Sequence, residues 1–137
     1  MSIAVLRLLF DVGLLVLIWI VQRIVYPSFL HYDATNLIKW HRQYTSRFTF
    51  IVMPLMLGQL GISIYQLIME INLYTVWSLI IILLIWLSTF LQFVPIHAKI
   101  SNGNVTQKML DSLIKKNWIR TFLWTALFLY SMFVTAL

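Results

Sequence analysis

The chain has little charge for its length and no cysteine. Only 10% of its 137 residues are Asp, Glu, Lys or Arg, whereas soluble globular domains contain about 25% charged residues. A soluble domain with an ordinary polar exterior is therefore excluded. The absence of cysteine also excludes disulfide frameworks, thiolate metal sites and cysteine nucleophiles.

The motifs of several soluble protein classes are missing as well. The four glycines form no phosphate-binding loop, and the chain has no HExxH zinc motif. It shows neither a Ser, His and Asp hydrolase pattern nor a nucleic-acid-binding module. The formal net charge of +6 therefore does not indicate a nucleic-acid partner, and we assign it to a membrane surface.

Long apolar segments are abundant, because 61% of the residues are hydrophobic. A transmembrane helix needs about 20 predominantly apolar residues to cross about 30 Å of hydrocarbon. Four stretches meet this requirement, at about residues 3–25, 48–68, 74–95 and 118–137. The first has no cleavage site and is interpreted as a retained span. The sequence predicts an all-α fold, a single membrane domain over residues 1–137 built as a four-helix bundle.

The basic residues predict the orientation of this bundle. Four spans place both termini and the turn at Glu70 on one side, and the loops at 26–47 and 96–117 on the other. Nine of the ten Lys and Arg residues belong to the loop side, and only Arg7 to the other. Short loops rich in Lys and Arg stay in the cytoplasm, so we expect both termini outside a bacterial inner membrane. The same cations predict contact with anionic lipids.

The segment before the second span has the pattern of an amphipathic helix. Its apolar residues recur every three or four positions, at Leu30, Ala34, Leu37, His41, Tyr44 and Phe48. Asp33 is the expected N-cap, so we expect an interfacial helix that begins near Ala34 and leads into the second span. Aromatic rings near this interface, including Tyr26 and Tyr44, are interpreted as a membrane-interface belt.

All three histidines fall on the basic side. His97 follows Pro95 at the end of the third span, and the antiparallel second span brings His41 to a similar depth. Two imidazoles with one carboxylate would resemble the ligand triad of non-haem iron, and two alone would hold a haem iron. The predicted metal set is therefore His31, His41, His97 and Asp33 or Asp111, with hydrogen bonding as the alternative for each histidine.

Arg7 and Arg120 lie inside predicted spans, where an unpaired charge costs about 2.5 kcal/mol or more. Arg7 and Asp11 are spaced i, i+4 and can pair on one helix face. Arg120 shares a helix face with Asn117 and Trp124, and that face is predicted to point into the bundle. Arg120 either reaches the headgroups or binds backbone carbonyls, or it faces a ligand. His41, His97, Asn117 and Arg120 are the candidate catalytic residues.

Five short motifs span nearly the whole chain: Tyr26-Pro27-Ser28-Phe29, His41-Arg42-Gln43-Tyr44, Pro54-Leu55-Met56, Val94-Pro95-Ile96-His97 and Asn117-Trp118-Ile119-Arg120-Thr121. With them, the chain resembles a family of small bacterial four-span membrane proteins of uncharacterised function. Its layout is distantly similar to that of the anthrone-oxygenase-like group, which usually has an amide residue where this chain has His97. The resemblance implies a shared scaffold with an inward-facing polar cluster of His41, His97, Asn117 and Arg120.

Three classes of function fit these features. The first is a metal- or haem-assisted oxidoreductase or a binder of a lipophilic ligand, in which the histidines hold a cofactor or carry protons. Asn117 and Arg120 would then orient an anionic or quinone-like molecule. The second is an ion channel or transporter formed by a homo-oligomer. The polar residues of spans two and three support it, namely Gln59, Ser63, Gln66, Ser88, Thr89 and Gln92. The third is an accessory subunit of a membrane complex. We favour the first, because a pore needs polar residues along its whole length.

Overall fold

The computed structural model describes all 137 residues and contains four long helices. They are α1 (Ile3–His31), α2 (Ala34–Met69), α3 (Leu73–Ser101) and α4 (Gln107–Ala136). Each is long and apolar enough to cross a membrane. The prediction of an all-helical protein with four apolar helices is confirmed. These helices indicate an integral membrane protein.

The start of α2 lies where the sequence predicts it. The Asp33 Oδ1 atom accepts a hydrogen bond from the backbone N–H of Asn36 at 2.7 Å, which caps the helix. The structure shows no separate interfacial helix, because α2 continues unbroken over 36 residues to Met69. At about 1.5 Å per residue, α2 is about 54 Å long and exceeds the hydrocarbon thickness.

The helices form a ring in which each packs against the next and α4 returns against α1. Two clusters of buried apolar side chains fill the ring. One lies near the basic loops around Phe29, Phe93 and Leu113, and the other lies further along the bundle around Leu14 and Ile82. Large apolar side chains also cover the outside, which fits a surface in contact with lipid.

Two π-helical segments interrupt the helices, Val21–Val25 in α1 and Thr89–Phe93 in α3. In both helices one residue and then a proline follow the π segment, Pro27 in α1 and Pro95 in α3. A π segment adds a residue to the turn and occurs often at functional sites. The segments therefore change the direction in which the side chains after them point, relative to a regular helix.

The predicted pairing of Arg7 with Asp11 is confirmed. Both side chains are fully buried, and Arg7 Nε donates to the two carboxylate oxygens at 2.9 and 3.1 Å. Gln66 accepts from Arg7 at 3.0 Å, and Gln59 donates to Asp11 at 2.7 Å. Two of the polar residues considered for a channel thus hold this ion pair inside one copy of the chain.

Removing one partner of this ion pair should destabilise the protein more than removing both. Asp11→Leu leaves a buried guanidinium without its carboxylate, and we expect a loss of about 3–5 kcal/mol in the free energy of unfolding. The double variant Arg7→Met, Asp11→Leu should recover most of that loss. Denaturant titration in detergent micelles measures both. Equal stabilities of the single and double variants would contradict this account.

Gly58 and Gly61 offer a matched test of how closely α1 and α2 approach. A Cβ atom at Gly58 would fall on the ring of Phe10, whereas at Gly61 it would meet nothing within 4 Å. We expect Gly58→Ala to cost about 1–3 kcal/mol by overpacking, and Gly61→Ala to be neutral or stabilising by up to about 1 kcal/mol. Phe10→Leu should restore the thermal midpoint of Gly58→Ala. Equal thermal midpoints of the two glycine variants would contradict this description of the packing.

Candidate functional site

A chain of side-chain hydrogen bonds joins all four helices near the basic loops. Arg120 Nη2 donates to Tyr26 Oη at 3.2 Å, and Tyr26 Oη lies 3.0 Å from His97 Nε2. His97 Nδ1 lies 2.7 Å from His41 Nε2, and His41 Nδ1 lies 2.9 Å from Ser101 Oγ. Every link is within normal hydrogen-bond range. The predicted residues Arg120, His97 and His41 are therefore connected through Tyr26.

The local fold explains why these side chains meet. His41 lies on the apolar face of α2 and is completely buried, with the ring of Phe29 edge-on at 5.6 Å. Tyr26 and His97 both follow a π segment, in α1 and α3 respectively, and each lies within two residues of a proline. The two segments thus direct one ring from each helix towards the same point.

Arg120 is buried, and none of its partners is a carboxylate. Its Nε and Nη2 atoms donate to Asn117 Oδ1 at 3.1 and 2.8 Å, and Nη1 donates to Thr89 Oγ1 at 3.2 Å. The guanidinium also lies 3.6 Å from the ring centroid of Phe93, a cation–π contact. The only ion pair in the protein is formed elsewhere. Neutral groups therefore orient a positive charge that no protein anion balances.

Asn117 is itself held in place by a second set of bonds. Its Nδ2 donates to Gln22 Oε1 at 2.9 Å, and the Thr121 hydroxyl donates to the same oxygen at 2.9 Å. Gln22 Nε2 donates to the backbone carbonyl of Ile114 at 3.1 Å. This arrangement turns Asn117 Oδ1 towards Arg120. Asn117 thus acts as a positioning residue for the guanidinium.

A cavity of about 490 Å³ adjoins the hydrogen-bonded chain. Fifteen of its 21 lining residues are hydrophobic, and its polar end includes Tyr26, His97 and Arg120. Exposed residues of α2 and α3, namely Thr49, Phe90 and Val94, form the outer wall. The cavity therefore opens sideways between α2 and α3, and its volume lies in the range of small-molecule sites.

The sequence identified part of this site and missed part of it. The predicted inward face of α4 is confirmed, because Asn117, Arg120 and Trp124 are all buried. Tyr26 was missed as a site residue: the sequence indicates an interfacial ring, but its side chain is only 2% exposed and joins Arg120 to His97. The sequence signal for Tyr26 was its position directly before Pro27, which is the position that Val94 has relative to Pro95.

The donor set does not fit a metal ion or a haem iron. His31 and Asp33 are exposed, and the protein has no group of three or more His, Cys, Asp or Glu residues arranged to hold a metal. Asp33 instead caps α2. His41 Nε2 and His97 Nδ1 point at each other at 2.7 Å, whereas two ligands of one metal ion both point at the metal, about 2.0–2.1 Å away. The predictions of a metal or haem site therefore gain no support.

The functional interpretation has to rest on the geometry of the site itself. The resemblance to small four-span membrane proteins depends on short motifs, of which Tyr26-Pro27-Ser28-Phe29 and Val94-Pro95-Ile96-His97 supply two links of the hydrogen-bonded chain. That resemblance stays a prediction. Comparison of the chain with protein-family models, with curated proteins and with solved structures finds no match.

Proposed function

We propose that the protein binds a lipophilic molecule whose head carries an oxyanion or a carbonyl oxygen. The apolar tail would occupy the cavity, and the head would contact Arg120. One observation carries this proposal: a buried guanidinium without a carboxylate partner lies at the polar end of a largely apolar cavity. A buried unpaired charge is costly, and an anionic or strongly polar head would offset that cost.

The donors of Arg120 support an oxygen-bearing head. A guanidinium has five N–H donors in a planar fork, and four of them bond Asn117, Tyr26 and Thr89. The remaining N–H, on Nη1, has no protein partner. The hydroxyl of Tyr26 and the imidazole of His97 lie at the same end of the cavity. A bound carboxylate, phenolate or quinone oxygen would therefore meet a charge-assisted donor on Arg120.

The shape and position of the cavity favour a ligand that arrives from the bilayer. Its opening lies between α2 and α3, among side chains on the outer apolar surface. A lipophilic molecule dissolved in the membrane could enter there without crossing the basic loops. A water-soluble anion would instead have to displace apolar contacts that it cannot replace.

Two other hypotheses from the sequence are less well supported. A metal- or haem-assisted oxidoreductase requires a donor set that the paired imidazoles do not provide. A channel loses Gln59 and Gln66 as lining residues, because both bond the buried ion pair. Binding of a lipophilic ligand requires neither a metal nor an aqueous path, and we favour it for that reason.

Replacing the guanidinium should weaken binding of an anionic amphiphile. Loss of a charged hydrogen bond costs about 1.5–3 kcal/mol, so we expect Arg120→Gln to bind dibrominated stearate about 10- to 100-fold more weakly than the wild type. Lys116→Gln, an exposed charge one turn earlier in α4, is the matched control. Bromine quenching of tryptophan fluorescence measures binding, because Trp124 lines the cavity. Equal affinities of the two variants would contradict the proposal.

Filling the cavity should abolish binding while the charge stays in place. Met53 lines the cavity on α2 and is only partly buried. Met53→Trp should exclude the stearate probe, whereas Met69→Trp, at the exposed end of the same helix, should not. The same quenching titration compares them, with thermal melting as the test of folding. A folded Met53→Trp variant that binds as the wild type does would show that the tail lies elsewhere.

A further inference from the structure

We infer that the head of the bound ligand exchanges a proton with water at the basic surface through Tyr26, His97, His41 and Ser101. The ligand class would then be a lipophilic molecule with an ionisable hydroxyl, such as a phenol, a quinol or an enol. This inference rests on the proposed function, because it needs a head group at Arg120. It adds that the site removes the ionisable hydroxyl proton of the ligand head or returns it.

The chemistry of the groups allows two orientations of the hydrogen bonds with both imidazoles neutral. A guanidinium only donates, so Tyr26 Oη accepts from Arg120, and a hydroxyl oxygen can accept a second bond. A neutral imidazole accepts at one nitrogen and donates at the other. In one orientation the bonds run from Tyr26 through His97 and His41 to Ser101, and in the other they run from Ser101 back to Tyr26. The relay begins in the first orientation and ends in the second.

The transfer is balanced at each atom. The O–H bond of the ligand breaks and its proton goes to Tyr26 Oη, while Tyr26 passes its own proton to His97 Nε2. His97 passes its Nδ1 proton to His41, and His41 passes its Nδ1 proton to Ser101 Oγ. The serine releases its hydroxyl proton to water. The ligand remains as an oxyanion beside Arg120, each relay group keeps its number of protons, and the hydrogen bonds now run the other way.

Both ends of the relay can be reached from outside the buried core. Two histidines that only held helices together would not need such access. Tyr26 and His97 line the cavity at one end. At the other end Ser101, which also lines the cavity, is half-buried, and its backbone carbonyl accepts from the exposed Arg42 at 2.8 Å. Between these ends His41 is completely buried. The groups thus lead from the part of the cavity beside Arg120, through the buried His41, to a half-buried serine next to the basic loops.

The charged and titratable groups around the two imidazoles favour a neutral relay. Tyr26 faces them from α1, and Arg120 from α4. Within α2, the ring of Tyr44 lies 6.1 Å from His41 and 6.4 Å from His97. Neither imidazole forms an ion pair with a carboxylate. A long-lived imidazolium would lack a counter-ion here, so a proton that arrives at one nitrogen is expected to leave from the other.

The relay is tested with two probes on the full chain in detergent micelles. A nitrophenol with an alkyl tail reports ionisation through the absorbance of its phenolate, and dodecyl sulfonate reports binding of a head with fixed charge. In a stopped-flow pH jump, we expect Ser101→Ala to slow ionisation of the bound nitrophenol about 100-fold, the scale of general acid–base catalysis. Ser101→Thr, which keeps the hydroxyl, should restore the rate. Affinity for dodecyl sulfonate is measured in both variants, because Ser101 lines the cavity, and the ionisation rates are compared at equal occupancy of the site.

His41→Gln provides a second, central test, because an amide keeps a hydrogen bond but transfers protons poorly. It should slow ionisation as Ser101→Ala does, whereas His31→Gln, an exposed histidine outside the relay, should not. Wild-type ionisation rates in His41→Gln and Ser101→Ala, with both probes still bound, would overturn the relay and leave the proposed binding function intact. Failure of the wild type to bind either probe would overturn both.

Discussion

The unbalanced charge of Arg120 is the constraint on which the rest of the site depends. A guanidinium in an apolar bundle needs oriented acceptors, and the bundle supplies Asn117, Tyr26 and Thr89 from three different helices. Each acceptor is fixed by further bonds, as Asn117 is by Gln22. These neutral groups orient the guanidinium without neutralising it. The result is a guanidinium of fixed orientation beside a cavity, which supports the proposed binding of an oxygen-bearing head group.

The π segments make this arrangement geometrically attainable. In a regular helix the inward face repeats every 3.6 residues, but Val21–Val25 and Thr89–Phe93 shift that phase partway along α1 and α3. The apolar residues before each segment fill the middle of the bundle, and the rings after it form the polar chain. The side chains after the segments thus include both the rings of the polar chain and core residues such as Phe29 and Ile100.

The phase shift also explains which features the sequence could predict. The four apolar helices, the Asp33 cap and the inward face of Asn117, Arg120 and Trp124 follow from length, capping chemistry and regular spacing, and the structure has all of them. Tyr26 lies beyond a π segment, where regular spacing no longer indicates which way a side chain points. The sequence predicts an interfacial helix that begins near Ala34 and leads into a span at about residues 48–68, and the structure has one continuous helix, Ala34–Met69. The lengths of two adjacent predicted segments do not show whether they form one continuous helix.

The two buried arginines, Arg7 and Arg120, provide an internal comparison. Arg7 is balanced by Asp11, one turn away on the same helix, and Gln59 and Gln66 form hydrogen bonds with the pair. This bundle thus accommodates a carboxylate next to a structural arginine. Arg120, by contrast, has only neutral partners and adjoins the cavity. If its role were only to hold helices together, a local carboxylate like Asp11 would stabilise the bundle more. The missing counter-charge is the observation that supports the proposed binding of a ligand head group at Arg120.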